Sequence, residues 1–483
     1  MGDSVGANES LEHKFVNSTS FHGIAQIADR NKSTWLRTAW ILAFATCTGV
    51  CGWQIYLRFE ALHDINTIVS RVYKNELDFP AVTICNFNRY RASQVTEEDL
   101  PFIRYALFAE EDYYGDSYDD HSQFDMSSFD YSEFIQNRTF NYTEFTKRTG
   151  FVLDNNTLLE CKWRGRDCIA DNFTHVFTSY GNCWTFNSGK DNRGNDLPIL
   201  TEDQPGSENG LKLIINIQQD EYTETLSGNI QAGLKVLVHD QADPPLMDSL
   251  GSAVPPGYYA FMAIRKEMFM NLEPPWGKCN RSKTLEYYDK YTLSGCFIEC
   301  RLTLIFEKCE CRPIRYPGIA EVCTPYQTAT CVKDVLSEFK SGSLGICECP
   351  VACNHTEYVT SISYGAVPSQ SVADEAYQHF NETLEYQRMN FVVIDIFYEA
   401  LNFQSFKENK AMTVSTLISN IGGNVGLFLG GSILTFAEII DYVLLKCCGL
   451  CSAEKKRVSK EDVKSTTGEN TQQQGLDNPM QLY

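Results

Sequence analysis

The chain has 483 residues, 62 of them acidic against 41 basic, for a net charge of -21. That balance argues against nucleic acid and other polyanions as partners and for an anionic surface that attracts cations. Nineteen cysteines are too many for a reduced cytosolic protein unless metal holds them.

Residues 1 to about 34, within a cytosolic amino terminus drawn at 1–37, are polar and lack a basic region followed by an apolar core and cleavage site, so no removable signal peptide is expected and insertion must use a retained span. The first span is residues 39–57, within a membrane segment drawn at 38–58, and Arg30, Lys32 and Arg37 before it favour a cytosolic amino terminus. Residues 425–445 (VGLFLGGSILTFAEIIDYVLL) form the second apolar stretch; about 21 residues make roughly 31 Å of helix, enough to cross a bilayer. The second membrane segment is drawn at 412–446. Lys446, Lys455, Lys456 and Arg457 place the carboxyl terminus inside as well, with 447–483 a polar, disordered tail. An extracellular domain of residues 59–411 follows.

The second span carries more than an anchor needs. Gly422, Gly423, Gly426, Gly430, Gly431 and Ser432 permit close backbone approach, and Glu438 and Asp441 are carboxylates that must face protein or water. The pattern suggests a pore-lining helix; the competing reading is a Gly-rich dimerisation face with its acids at the headgroups.

Between the spans, residues 79–86 (FPAVTICN) read as a short strand whose Pro confines it to an edge or a strand start. Residues 110–134 are acidic, aromatic and Ser-rich, a surface excursion rather than a calcium loop, since Asp119, Asp120 and Asp125 lack the spacing. Residues 211–219, 233–239, 391–397 and, more weakly, 358–363 should form a central sheet. Helical character concentrates in 283–308, 332–340 and 369–385. The fold class is therefore α+β: two transmembrane helices and a large disulfide-rich ectodomain of sheet plus helices.

Cys47, Cys51, Cys447, Cys448 and Cys451 lie in or beside the spans; the remaining fourteen, Cys85 to Cys353, lie between them and read as seven disulfides. Sequons at Asn137, Asn141, Asn155, Asn172, Asn280, Asn354 and Asn381 point to the same oxidising compartment, whereas those at Asn8, Asn17 and Asn31 would be silent in the cytosol. Cys296 and Cys300 are four apart and Cys347 and Cys349 two apart; four helical residues rise about 6 Å and two extended ones about 6.6 Å, so a helix and a strand can be riveted at two rungs. Zinc is the minor alternative. Cys447, Cys448 and Cys451 are palmitoylation candidates against idle thiols.

His22-Gly23, FPAVTICN, the cysteine block, QQDEY at 218–222, PPWGKC at 274–279 and SNIGGNVGLFLGGSILTFAEIIDY together resemble the degenerin and epithelial sodium channel superfamily, closest to its acid-sensing and bile-acid-sensitive branch. The resemblance implies a plasma-membrane, multi-pass, sodium-preferring channel blocked by amiloride, assembled as a homotrimer or heterotrimer, with a hand-like ectodomain of palm, finger, knuckle and thumb. It implies no enzyme and no cofactor or bound metal, with Na+ as permeant ion and extracellular Ca2+ as a modulator. It further implies the pairs Cys85–Cys183, Cys161–Cys168, Cys279–Cys353, Cys296–Cys349, Cys300–Cys347, Cys309–Cys331 and Cys311–Cys323.

By the same resemblance Gly430-Gly431-Ser432 breaks the second helix as the selectivity filter, where glycine carbonyls replace water around a small cation. Gly426 takes the amiloride position, Ser419 the position where bulk holds the pore open, and Asn420 stands at the mouth where acid-sensing members carry Asp. His22, Gly23, Glu438 and Asp441 belong to the lower pore, and Leu401-Asn402 matches the desensitisation linker. The carboxyl pairs that sense protons are missing: Leu226 and Ser227, Lys333 and Ser337, and Lys212 stand in their places, with only Asp395 retained and His63-Asp64 near the site of a His pair. An ion pair of Lys212 with Asp395 is expected to lower the acid's pKa. The expected function is a ligand-gated or basally active channel, against a proton-gated channel with other sensors or a non-conducting accessory subunit or receptor.

Overall fold

The computed structural model describes residues 15–16, 18–29, 31–99, 102, 140–223, 231–342, 347–372 and 378–446. The acidic segment 110–134, Leu226, Ser227, Asn137, Cys447, Cys448 and Cys451 lie outside the described residues. The chain divides into two compact units, residues 66–409 and a second made of 1–65 with 410–483.

The larger unit is built on two sheets, with a small third pairing of β2 (Leu77–Asp78) and β8 (Thr201–Glu202). In the first, the strand order is β13-β12-β14-β9-β4-β5, with β1 also on β14; these are β1 (Ile65–Tyr73), β4 (Leu158–Trp163), β5 (Arg166–Asp167), β9 (Leu211–Asn216), β12 (Tyr258–Met270), β13 (Asn354–Ala366) and β14 (Phe391–Lys410). β14 lies between β12, parallel to it, and β9, antiparallel to it. A strand flanked on both sides and covered on both faces needs a near-continuous apolar run, and its first half, FVVIDIF, is one, interrupted only by Asp395. The expected strands at 358–363 and 391–397 are much longer than their apolar cores suggested. β12 and β13 pair over their whole length, Tyr258 opposite Ala366 through Met270 opposite Asn354.

The second sheet has the order β11-β10-β3-β7-β6, from β3 (Ala81–Asn86), β6 (Phe173–Thr178), β7 (Gly181–Phe186), β10 (Leu234–His239) and β11 (Ser252–Val254). The segment 233–239 thus leaves the central sheet expected of it and pairs with β3. A β-branched run reports burial, not which sheet supplies it. Pro80 sits just before β3, so the strand-start alternative holds and β3 itself is central and buried along its length. One core joins the two sheets: Phe79, Ile84, Leu211, Leu213, Leu234, Ile264, Ile394 and Tyr398 are all fully buried within it. The quoted motifs meet here, because Asn86 donates to Ile217 O at 3.0 Å and accepts from Tyr222 Oη at 2.7 Å.

A separate helical lobe carries its own core of Ile298, Leu302, Ile305, Val332, Val335 and Leu336. Its long helix runs Leu293–Cys309, capped by Thr292, whose hydroxyl accepts from Gly295 N at 3.0 Å. Residues 283–292 are therefore not helical as expected: Thr292 is a better start than anything before it. A second helix, Lys333–Lys340, follows a π-helical turn, Thr328–Val332. Of the expected helix at 369–385, residues 373–377 lie outside the described residues; the rest shows a 3-10 turn, Gln370–Val372, helix at 378–380, and a break before a capped helix from Leu384 to Asn390.

Seven disulfides pair Cys85–Cys183, Cys161–Cys168, Cys279–Cys353, Cys296–Cys349, Cys300–Cys347, Cys309–Cys331 and Cys311–Cys323. The riveted partner of the long helix is not a strand, however. Cys349 N donates to Cys347 O at 2.9 Å, a tight turn that still presents two sulfurs on one side.

In the smaller unit, α1 (Ile24–Ala28) and α2 (Thr34–Glu60) are followed by α3 (Val414–Leu429) and α4 (Ile433–Lys446). α2 is long and apolar enough to cross a membrane, and its apolar side chains are largely exposed, Trp35 to 80% and Leu42 to 64%. The apolar stretch 425–445 is not one straight helix. α3 begins at Val414, capped by Thr413, and α3 and α4 are bent by 75° across Gly430 to Ser432.

Candidate pore segment and gating residues

The break in the smaller unit has a local cause. Gly430 closes α3 in the left-handed region at φ 71° and donates to Gly426 O at 3.0 Å, a C-terminal cap that glycine adopts without the penalty a Cβ incurs. The turn is then occupied from outside: a Cβ on Gly430 would lie 2.7 Å from the His22 ring, and one on Gly431 would lie 2.8 Å from Val425 Cγ1. His22 N donates to Leu429 O at 2.8 Å, satisfying one of the carbonyls that the helix end leaves open. Gly23, at φ 88°, turns the chain into α1, and its backbone approaches Trp40 and Phe44 of α2. His22-Gly23 and Gly430-Gly431-Ser432, about four hundred positions apart in the sequence, are thus brought together.

Hydroxyls extend this contact. Ser20 Oγ and Thr435 Oγ1 are 2.5 Å apart, and Ser432 N donates to Thr435 Oγ1 at 2.9 Å. Ser20 N donates to Glu438 Oε2 at 3.3 Å, so Glu438 is held by the same segment. Ser20 and fully buried Thr435 were not singled out in the sequence. Their signal was their place beside the glycine motifs, and neither residue type is unusual there. Asp441 is exposed one turn further along α4. Gly426 lies on α3 within reach of the break, a Cβ there being 3.7 Å from Gly431 O. Ser419 is exposed and Asn420 half-buried in the first half of α3.

In the larger unit, Lys212 and Asp395 stand directly opposite each other across β9 and β14. The expected ion pair is not made among the described residues. Asp395 is fully buried; Glu208 N donates to its Oδ2 at 3.0 Å and Ser207 Oγ bonds the same oxygen at 2.5 Å, while Oδ1 has no partner. Lys212 instead places Nζ 5.9 Å from the centre of the Tyr259 ring. Burial therefore pushes the Asp395 carboxyl up from its ordinary range, and Ser207, Glu208 and Lys212 only partly offset it. This reverses the expected downward shift: desolvation outweighs a neighbouring ammonium that does not make contact. Ser207 and Glu208, in the loop before β9, were not legible as partners of a residue nearly two hundred positions away.

Leu401 and Asn402 lie within β14 where its register with β12 slips between Ile264 and Lys266, and Leu401 O accepts from Lys74 N at 3.0 Å. A slipped register leaves unpaired residues that bend the strand. Lys333 opens its helix and Ser337 is exposed on it. His63 is exposed in a 3-10 turn, Ala61–His63, in the smaller unit. The sequon residues Asn141, Asn155, Asn172, Asn280, Asn354 and Asn381 are all exposed. No group of three or more metal-ligating side chains is found among the described residues.

The chain is an ion-channel protein and not an enzyme: it belongs to the amiloride-sensitive sodium channel family, whose model matches residues 15–442. It is 36% identical over 476 residues to acid-sensing ion channel 1C of Danio rerio, covering 94% of this chain and 88% of that one. Against acid-sensing ion channel 2 of Homo sapiens it is 36% identical over 444 residues, 89% of this chain and 85% of the relative. The bile acid-sensitive ion channel of Homo sapiens is 33% identical over 455 residues, 92% and 87% of the two chains.

Proposed function

We propose that this chain forms a sodium-preferring, amiloride-sensitive cation channel of the plasma membrane, as a homotrimer or with related subunits. In this reading α2 and the broken pair α3–α4 each span the bilayer, both termini are cytosolic, and residues 59–411 are extracellular. The observation that carries it is the break at Gly430-Gly431-Ser432, with His22-Gly23 seated against it. A membrane anchor gains nothing from a helix end unwound inside an apolar stretch, whereas free backbone carbonyls can serve a dehydrated cation. Seven disulfides and six exposed described sequons support an extracellular larger unit. Glu438 and Asp441 would face the inner pore, Gly426 and Asn420 its outer mouth, and extracellular Ca2+ would act as a modulator.

The carboxyl pairs of an acid sensor are replaced, so the channel is read as ligand-gated or basally active. The test uses Ser419→Cys in oocytes, with a bulky positively charged thiol reagent applied while sodium current is recorded. An amiloride-blocked current that rises on modification is the expected result. Surface delivery without current, before or after modification, would assign the chain to the non-conducting accessory class. Replacing Ser432 by a larger residue should shift the reversal potential or abolish current; no change in either would remove the triplet from the filter.

A further inference from the structure

The larger unit contains a cavity of about 470 Å³ that plays no part in the reading above. Its walls come from β10 of the second sheet, from β12 and β13 of the first, and from the start of the helix Leu293–Cys309. The interior is apolar, with Val236, Val238 and Met262 behind it, and at its edge Leu250, Leu293 and Val351 are 60%, 39% and 40% exposed. Three exposed aliphatic side chains around one opening are an unusual loss of burial for a folded surface.

Among the hydroxyls and imidazoles that line this cavity stand three carboxylates and, among the described residues, no lysine or arginine. Asp240, Asp243 and Glu357 line it. The nearby cation is Lys290, whose Nζ is 3.8 Å from Asp240 Oδ1. Asp243 accepts from the Thr292 hydroxyl at the helix start, and burial pushes its carboxyl up, with Asp240 adding to that and Lys290 and His355 opposing it. His355 stacks on Phe269 at 4.8 Å, its Nε2 is 3.5 Å from Glu357 Oε1, and its Nδ1 is buried without a partner among the described residues. By contrast, His239 is fully used: Nε2 bonds Thr83 Oγ1 at 2.8 Å and Nδ1 bonds Asp240 O at 2.9 Å. The cavity therefore combines an apolar body, an anionic wall and one unsatisfied nitrogen.

We propose that this cavity binds a small organic cation, an ammonium or guanidinium group on an apolar or aromatic body. The charged group sits among Asp240, Asp243 and Glu357, where it replaces solvent around partly buried carboxylates, and the body covers Leu250, Leu293 and Val351. A metal ion is the poorer occupant, since the described carboxylates and histidines do not converge as ligands and the aliphatic rim would stay exposed. Because the walls belong to both sheets and to the helical lobe, an occupant would bridge three parts of the larger unit.

The experiment titrates purified full-length protein in detergent with 4-phenylbutylammonium chloride by calorimetry, using 4-phenyl-1-butanol as the neutral counterpart. One saturable site per chain is expected, with the alcohol weaker by about tenfold, the worth of one partly screened charge contact. Glu357→Gln, at an exposed position that should fold normally, and Asp243→Asn should each weaken the ammonium several-fold, and Leu250→Asn should weaken both compounds. Equal affinity for the alcohol, no saturable binding, or Glu357→Gln and Leu250→Asn both without effect would overturn the proposal. These readouts involve no current, so failure of the channel reading would leave them unchanged.

Discussion

Gly430 shows how one missing Cβ can hold two distant segments together. At φ 71° an L side chain costs about 1 to 2 kcal/mol in backbone strain, and at this site it would also meet the His22 ring at 2.7 Å. Gly430→Ala is therefore expected to abolish most current at unchanged surface amount, and adding His22→Ala should restore part of it by removing the collision; recording both variants in oocytes checks this. If both behave as wild type, the seating of His22 against the turn has no part in conduction. Asp395 is the converse case, a polar group that the fold tolerates at a cost. Its carboxyl is raised in the folded chain, so the folded state holds a proton more readily than the unfolded one. The penalty is absent below the ordinary carboxylate range, grows as pH rises through the raised value and is complete above it. Asp395→Asn should then raise the melting temperature at neutral pH, by the equivalent of about 1 kcal/mol, and leave it unchanged near pH 4. A melting curve lowered at both pH values would mean that Ser207 and Glu208 require the charge.

At the scale of elements, the two rungs Cys296–Cys349 and Cys300–Cys347 enclose loops of 53 and 47 residues. Loops so nearly the same constrain the unfolded chain almost identically, so either bridge alone supplies most of the effect. Removing one pair with serine should cost only about 1 kcal/mol, whereas removing both should cost about 3 to 4 kcal/mol. Thermal unfolding of the three variants reads the difference, and additive losses would refute the redundancy. The rung spacing was visible in the sequence, but the turn at Cys347 was misread as strand because a two-residue interval fits both shapes. Strands at 211–219, 391–397 and 358–363 were legible through β-branched runs. The move of 233–239 to the second sheet was not, since pairing depends on β3, about one hundred and fifty residues earlier. Helix starts were misplaced where a capping hydroxyl decided them, at Thr292 and Thr383. At the candidate pore, the glycines were legible because so many in an apolar run demand a reason. Ser20 and Thr435 were not, because a hydroxyl becomes informative only when its partner is known.

For the whole molecule, the proposed function, in which the paired carboxylates of an acid sensor are replaced, makes a definite statement about the response to acid. The expected Lys212–Asp395 ion pair would have kept Asp395 charged through ordinary acidification. The structure removes that protection: Lys212 turns to Tyr259, and burial makes Asp395 easier to protonate. A single buried acid is nevertheless a weaker sensor than a facing pair, because it lacks the repulsion that two carboxylates release on taking up one proton. The wild type is therefore expected to show modulation of its current by acid rather than a large transient opening. Lys212→Glu supplies the missing half, since residue 212 stands in register with Asp395 across β9 and β14. Two carboxylates there share a proton at a pH above that at which either alone would bind one, so the acid response should move toward neutral pH and steepen. Asp395→Asn should cancel that gain in the double variant and flatten whatever response the wild type has. The measurement is whole-cell current through a pH series from 8 to 5 on the four proteins, with surface labelling to normalise the amplitudes. A large transient current in the wild type that survives Asp395→Asn would place the proton sensor elsewhere. An unchanged curve in Lys212→Glu would show that this pair of positions does not gate the channel.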